Sequence, residues 1–132
     1  MSEEIKVMIV EDSHTVRYEV KMILSKKGII IIEAANELGM FNLMEEYGKR
    51  VDLIIMDLVL KNENGFDLIS KLKAREKYKD IPVLILTEQA DKDSVLKARE
   101  LQVAGYLKKP IKKDELLERV CTVLNRNFGT DE

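Results

Sequence analysis

The chain has 132 residues, 45% hydrophobic and 35% charged, which is the size of one ordinary domain able to bury a core without disulfides or metals as props. Lys+Arg 22 against Asp+Glu 24 leave a net charge of -2, so bulk charge gives no support to direct nucleic-acid binding. The lone Cys121 excludes an intramolecular disulfide and reads as a small core residue, and no basic leader or membrane-length apolar stretch is present, so a cytoplasmic protein is expected.

Residues 5–10 form an apolar run that predicts a first buried strand, closed by Glu11 and Asp12. From 13 to 27, Val16, Val20, Ile23 and Leu24 recur at helical spacing, with Arg17, Lys21 and Lys26 elsewhere on the surface, and Gly28 ends the helix. Residues 29–32 are four consecutive isoleucines, a second strand. Asn36 then caps a helix running to about Tyr47, with Leu38, Phe41 and either Leu43 or Met44 directed inward and Gly39 weakening it.

Residues 51–60, VDLIIMDLVL, are the stretch around which the rest is organised. A short Val/Ile-rich run suits the central strand of a parallel sheet covered on both faces. Asp57 interrupts it, and a carboxylate leaving water there is costly unless paired, metal-bound or protonated. An ordinary strand-ending Asp that caps the next loop is the alternative at this point.

A polar turn at 61–65 leads to a helix with Phe66, Ile69 and Leu72 on one face. Pro82 opens a fourth strand, 83–86, which stops at Thr87. A loop at 88–91 precedes a short helix, 93–101, whose apolar face (Val95, Leu96, Ala98, Leu101) is thin. Residues 104–107 give a fifth strand ending in Lys108-Lys109-Pro110. A last helix from about Lys113 buries Leu116, Leu117, Val120, Val123 and Leu124 ahead of a polar tail at 127–132. Alternating strands and helices without a repeat or linker argue for a single α/β domain, a doubly wound five-stranded parallel sheet flanked by five helices.

In such a sheet Glu11, Asp12, Asp57, Thr87 and Lys109 all fall at strand C-terminal ends, the edge where ligands sit. Clustered carboxylates repel, so they hold protons or share a cation. Oxygen ligands without His or Cys favour a hard ion such as Mg²⁺, and a hydroxyl and an ammonium opposite it suit a phosphoryl group. Nucleotide cradling is disfavoured: EDSHT stands where a Gly-rich loop would be, and its acids would repel a pyrophosphate. A flavin site is disfavoured by the same loop and by the absence of Trp to stack on the ring, and the Asp-x-Asp of aspartate-nucleophile phosphatases is missing.

These separated motifs (Glu11-Asp12, Asp57 with Gly65 eight residues on, Thr87, and Tyr106 with Lys109-Pro110) resemble the receiver domain of two-component response regulators over essentially the whole chain. The resemblance implies a flavodoxin-like sheet of order 2-1-3-4-5. It implies Asp57 as phosphoacceptor for a kinase phosphohistidine, with Mg²⁺ ligated by Asp12, Asp57 and the Val59 carbonyl and reached by Glu11 mainly through water. Lys109 would pair with Asp57 or the phosphoryl group across a cis bond to Pro110. Thr87 and Tyr106 would carry the signal to a surface formed by helix four, strand five and helix five. The implied partners are a sensor histidine kinase or phosphotransfer protein, and a downstream protein target or output domain. A monomer is expected, with dimerisation on phosphorylation left open.

Two residues depart from the family pattern: Lys61 stands where Pro is usual, and Glu88 where a small residue is usual. A Glu there either repels small phosphodonors or points into water. Val59 and Gln89 occupy positions that in this family modulate phosphoryl lifetime. His14 reads as a surface or capping residue rather than a catalytic one, and Lys108 as a solvated charge rather than a second phosphate ligand. The expected activity is a phosphoacceptor switch rather than a turnover enzyme. The rivals are a constitutive protein-binding pseudo-receiver and a Mg²⁺-dependent phosphatase or phosphotransferase. A stand-alone receiver like the chemotaxis regulators and a piece of a longer regulator both fit the sequence.

Overall fold

The computed structural model describes residues 4–127, so all of the expected tail but Asn127 lies outside it. Five parallel strands form one sheet: β1 (Lys6–Val10), β2 (Ile30–Ala34), β3 (Leu53–Met56), β4 (Val83–Thr87) and β5 (Gly105–Lys108). Their order is β2-β1-β3-β4-β5. The connecting helices are α1 (His14–Ser25), α2 (Glu37–Tyr47), α3 (Gly65–Lys73), α4 (Lys92–Glu100) and α5 (Lys113–Leu124). This is the doubly wound, flavodoxin-like arrangement that the sequence predicts.

Strand alternation divides the core in two. Met8, Val10, Ile54, Met56, Val83 and Ile85 face one side, where they meet Met40, Met44, Phe66, Ile69 and Leu72. Their neighbours Val7, Ile9, Leu53, Ile55, Leu84 and Leu86 face the other, against Val20, Leu24, Leu116 and Val120. The period of two along each strand produces this split, and it explains why β3 is apolar at every position. Burying each such side chain contributes about 1.5–3 kcal/mol, and β1, β3 and β4 each bury four of them.

Several local expectations change. The central strand is shorter than 51–60: parallel pairing covers Leu53–Met56, and Val59–Leu60 instead pairs antiparallel with Glu63–Asn64. Apolarity continues past Asp57 because Leu58 and Leu60 are buried under α3, not because the sheet extends. Leu38 points outward, 71% exposed, while Met40 and Met44 are fully buried. One helical turn separates 40 from 44, and Leu38 falls about 140° from the middle of that stripe. In α4 the thin face is thinner still, since Leu96 is exposed and only Ser94 and Ala98 are buried. Cys121 is half-buried rather than a core residue. At Gly28 φ is +79°, the left-handed conformation that ends α1 and that a side chain would strain.

Candidate functional site

Each strand delivers its chemistry at its C-terminal end. Asp57 follows β3 directly, its N–H still donating to Val10 O at 3.1 Å, as the last rung against β1. Its carboxylate is 5% exposed. Oδ1 accepts from the Val59 N–H at 3.2 Å and Oδ2 from the Lys109 ammonium at 3.0 Å. The chain turns here because Gly65 permits it: a Cβ at that position would lie 2.1 Å from Asp57 O and 2.7 Å from Leu58 Cα. The Gly65 N–H donates to Leu58 O at 2.8 Å, and Asn64 caps α3 by accepting from Phe66 N at 2.8 Å.

Glu11 is more enclosed still, 2% exposed. Its Oε1 lies 2.6 Å from Lys109 Nζ, and its Oε2 accepts from Ser13 N at 3.1 Å. Ser13 in turn caps α1 by accepting from Val16 N, so the acidic loop and the helix start are one hydrogen-bonded unit. Asp12 is exposed, and its Oδ2 accepts from Lys61 N at 2.7 Å. Glu11, Asp12 and Asp57 each offer one oxygen, all within 4.8 Å of one another.

Burial, reinforced by the Asp57 charge and opposed by hydrogen bonds from Lys109 and Ser13, pushes the Glu11 carboxyl up to about 7. Burial alone would lower Lys109, but the two carboxylates it touches outweigh that and raise it, so it stays an ammonium. The donor set is therefore all oxygen, crowded and charged beyond what one lysine neutralises. It fits a hard divalent cation such as Mg²⁺.

Thr87 ends β4 with no exposure, and its carbonyl accepts from Lys109 N at 2.9 Å. Its Oγ1 accepts from Gln89 N at 3.2 Å. The Tyr106 hydroxyl donates to the Gln89 carbonyl, and the ring packs half-buried against the core on the α3/α4 side. Burial, with Asp91 nearby, raises the Tyr106 phenol above its ordinary value. The Lys109–Pro110 peptide is cis. The Val59 side chain, 57% exposed, and exposed Glu88 stand at the mouth of a shallow cleft of about 340 Å³ floored by Asp57 and Thr87. A larger groove of about 820 Å³ lies elsewhere, between Met44, Gly48, Arg75 and Tyr78. It mixes Lys49 and Lys77 with Glu45 and Glu76 and gathers no comparable set of buried polar groups, so size does not mark the site.

Sequence reasoning missed Arg17. Read as a surface cation, it lies half-buried with Nη1 donating to Glu11 O at 2.7 Å and Nε to Glu33 Oε1 at 3.0 Å. It braces the acidic loop from behind, and helical spacing alone carries no signal for that. His14 is exposed on the first turn of α1, with the capping done by Ser13.

The chain matches known proteins over most of its length. Residues 7–121 match the Response regulator receiver domain family. The chain is 30% identical over 125 residues to a Chemotaxis protein CheY homolog of Campylobacter jejuni, covering 94% of this chain and 95% of that protein. Among solved structures, Vibrio cholerae chemotaxis protein CheY4 superposes with a TM-score of 0.85 at 26% identity, over 92% of this chain and all of the other. A response regulator from Thermotoga maritima superposes with a TM-score of 0.82 at 29% identity, over 93% and 99% of the two chains.

Proposed function

This chain belongs to the response regulator receiver family, and from that premise we propose that it is a phosphoacceptor switch whose acceptor is Asp57. The observation that carries the reading is the convergence of Lys109 on both Glu11 and Asp57 beside the oxygen cluster.

Asp57 Oδ attacks the phosphorus of a kinase phosphohistidine, forming an acyl O–P bond as the P–N bond breaks and the imidazole leaves. Asp12, Asp57 and the Val59 carbonyl would hold Mg²⁺, with Glu11 acting mainly through a bound water. The ion would neutralise phosphoryl charge that the acids alone would repel. Lys109, already an ammonium held by hydrogen bonds to both acids, can follow the new phosphoryl oxygens without crossing solvent. Buried Thr87 presents its hydroxyl from the neighbouring strand end, and Tyr106 lies one strand further on. A change at Asp57 is thus relayed toward α4, β5 and α5, where a downstream protein or output domain would read it.

Only one equivalent reacts per acceptor, so this is a switch and not a turnover enzyme. We place it in the cytoplasm with its kinase; among the described residues no helix is long and apolar enough to cross a membrane. The intact set Glu11, Asp12, Asp57, Thr87 and Lys109 favours the switch over a constitutive binding module. Borohydride reduction after exposure to Mg²⁺ and phosphoramidate tests the assignment. Peptide mapping should find a homoserine at position 57; reduction at another acid would remove Asp57 as acceptor.

A further inference from the structure

Helix α4 is held at its N-terminus by polar contacts. It buries only Ser94 and Ala98, while Leu96 is 42% exposed and the rest of its surface is mostly charged. Two buried small side chains give little apolar adhesion. Ser94, 5% exposed, joins a hydrogen-bonded set with exposed Gln89 and Asp91 at the start of the helix. Its Oγ donates to Asp91 Oδ1 at 2.7 Å and accepts from Gln89 Nε2 at 2.6 Å, and its N–H donates to Asp91 Oδ2 at 3.0 Å. Those bonds from Ser94 also hold the Asp91 carboxyl below its ordinary value, keeping it ionised as the N-cap.

Gln89 is where this set meets the site. Its N–H reaches Thr87 Oγ1, its carbonyl receives the Tyr106 hydroxyl, and its side-chain amide reaches Ser94. One residue therefore touches both switch side chains and the N-terminus of α4 by three different groups. We propose that Gln89 is a positioning residue whose side chain latches α4, through Ser94 and Asp91, to the Thr87/Tyr106 pair. Movement of the Thr87 hydroxyl toward an occupied Asp57 removes the acceptor from the Gln89 N–H, shifts that loop and loosens the latch. The coupling half of this inference rests on the phosphoacceptor reading; the latch itself does not.

The test is amide hydrogen exchange across residues 92–100 in the native chain, Gln89→Ala, Ser94→Ala and the double variant, each with and without Mg²⁺ and beryllium fluoride. Intact mass after phosphoramidate treatment checks separately that each chain accepts a phosphoryl group. Losing the Gln89–Ser94 hydrogen bond should speed α4 exchange roughly fivefold in unloaded Gln89→Ala. The double variant should exchange no faster than Ser94→Ala, because both substitutions open the same latch. Loading should speed α4 in the native chain and change Gln89→Ala less than about twofold. A plain helix cap predicts otherwise: Gln89→Ala, which leaves the Asp91–Ser94 bonds in place, would exchange like the native chain, and that result overturns the latch. An equal response to loading in both chains overturns the coupling. If the native chain takes up neither ligand nor phosphoryl group, the phosphoacceptor reading fails instead, and the unloaded comparison still decides the latch.

Discussion

Lys109 and Glu11, 98 residues apart in sequence, meet at 2.6 Å, closer than Lys109 comes to the proposed acceptor Asp57 at 3.0 Å. The ammonium is therefore shared, and it balances two enclosed carboxylates with one charge. Removing it strands both. Lys109→Met should destabilise the Mg²⁺-free protein by about 1–3 kcal/mol in urea unfolding, the cost of an uncompensated buried acid offset in part by protonation. Mg²⁺ should recover part of that loss. An unchanged urea midpoint without Mg²⁺ would show that Lys109 contributes nothing to holding the acids.

Glu11 makes the site sensitive to pH. Its carboxyl sits at about 7, above the ordinary 4.5, because burial outweighs Lys109 and Ser13. The folded chain then holds this proton more tightly than the unfolded one, so without metal this group's contribution falls as pH rises between those values. A divalent cation needs the ionised form. Apparent Mg²⁺ affinity by calorimetry should rise roughly tenfold from pH 6 to pH 8. Glu11→Gln should flatten the profile; an equally steep profile in that variant would assign the proton to another group.

Gly65 fixes the acceptor's backbone. A methyl group there would overlap Asp57 O at 2.1 Å, and neither Asp57 nor Leu58 can retreat, since both belong to the sheet end and its packing. Gly65→Ala should cost about 2–4 kcal/mol and weaken Mg²⁺ binding at the same time. A variant as stable as the native chain would show that the turn at 57–65 is softer than its contacts suggest.

Glu88 is exposed at the cleft mouth. Anionic donors must pass it, so Glu88→Ala should accelerate uptake from acetyl phosphate by about two- to fivefold at low salt, with the difference vanishing at high salt. A salt-independent difference, or none, means that the side chain simply points into water.

How much of this was readable in advance follows from what each signal depends on. Two strand ends were legible because apolar runs stop abruptly at Glu11 and Thr87, while Asp57 stood out as the one acid interrupting the third run, and a parallel sheet puts all three on one edge. The extent of the central strand was not, because Leu58 and Leu60 are apolar for a different reason, contact with the α3 side of the core. Leu38 is misplaced by periodicity because five apolar residues of α2 (Leu38, Met40, Phe41, Leu43 and Met44) compete for one stripe, and Met40 and Met44 are the buried ones. Contacts made by long polar chains across elements left no periodic trace at all. Arg17 on Glu11 O, Gln89 on Ser94, and Glu63 accepting from Glu37 N at 2.8 Å while Lys71 pairs with Glu37 are of this kind.

The most direct measurement is the intact mass of the native chain and of Asp57→Asn after incubation with phosphoramidate, with Mg²⁺ present or chelated. One added phosphoryl group is expected in the native chain with Mg²⁺, none after chelation, and none in Asp57→Asn. Equal phosphorylation of Asp57→Asn would contradict Asp57 as the acceptor. No uptake by the native chain or by Glu88→Ala, from small donors or from a histidine kinase, would contradict the switch itself and leave a constitutive binding module on this fold.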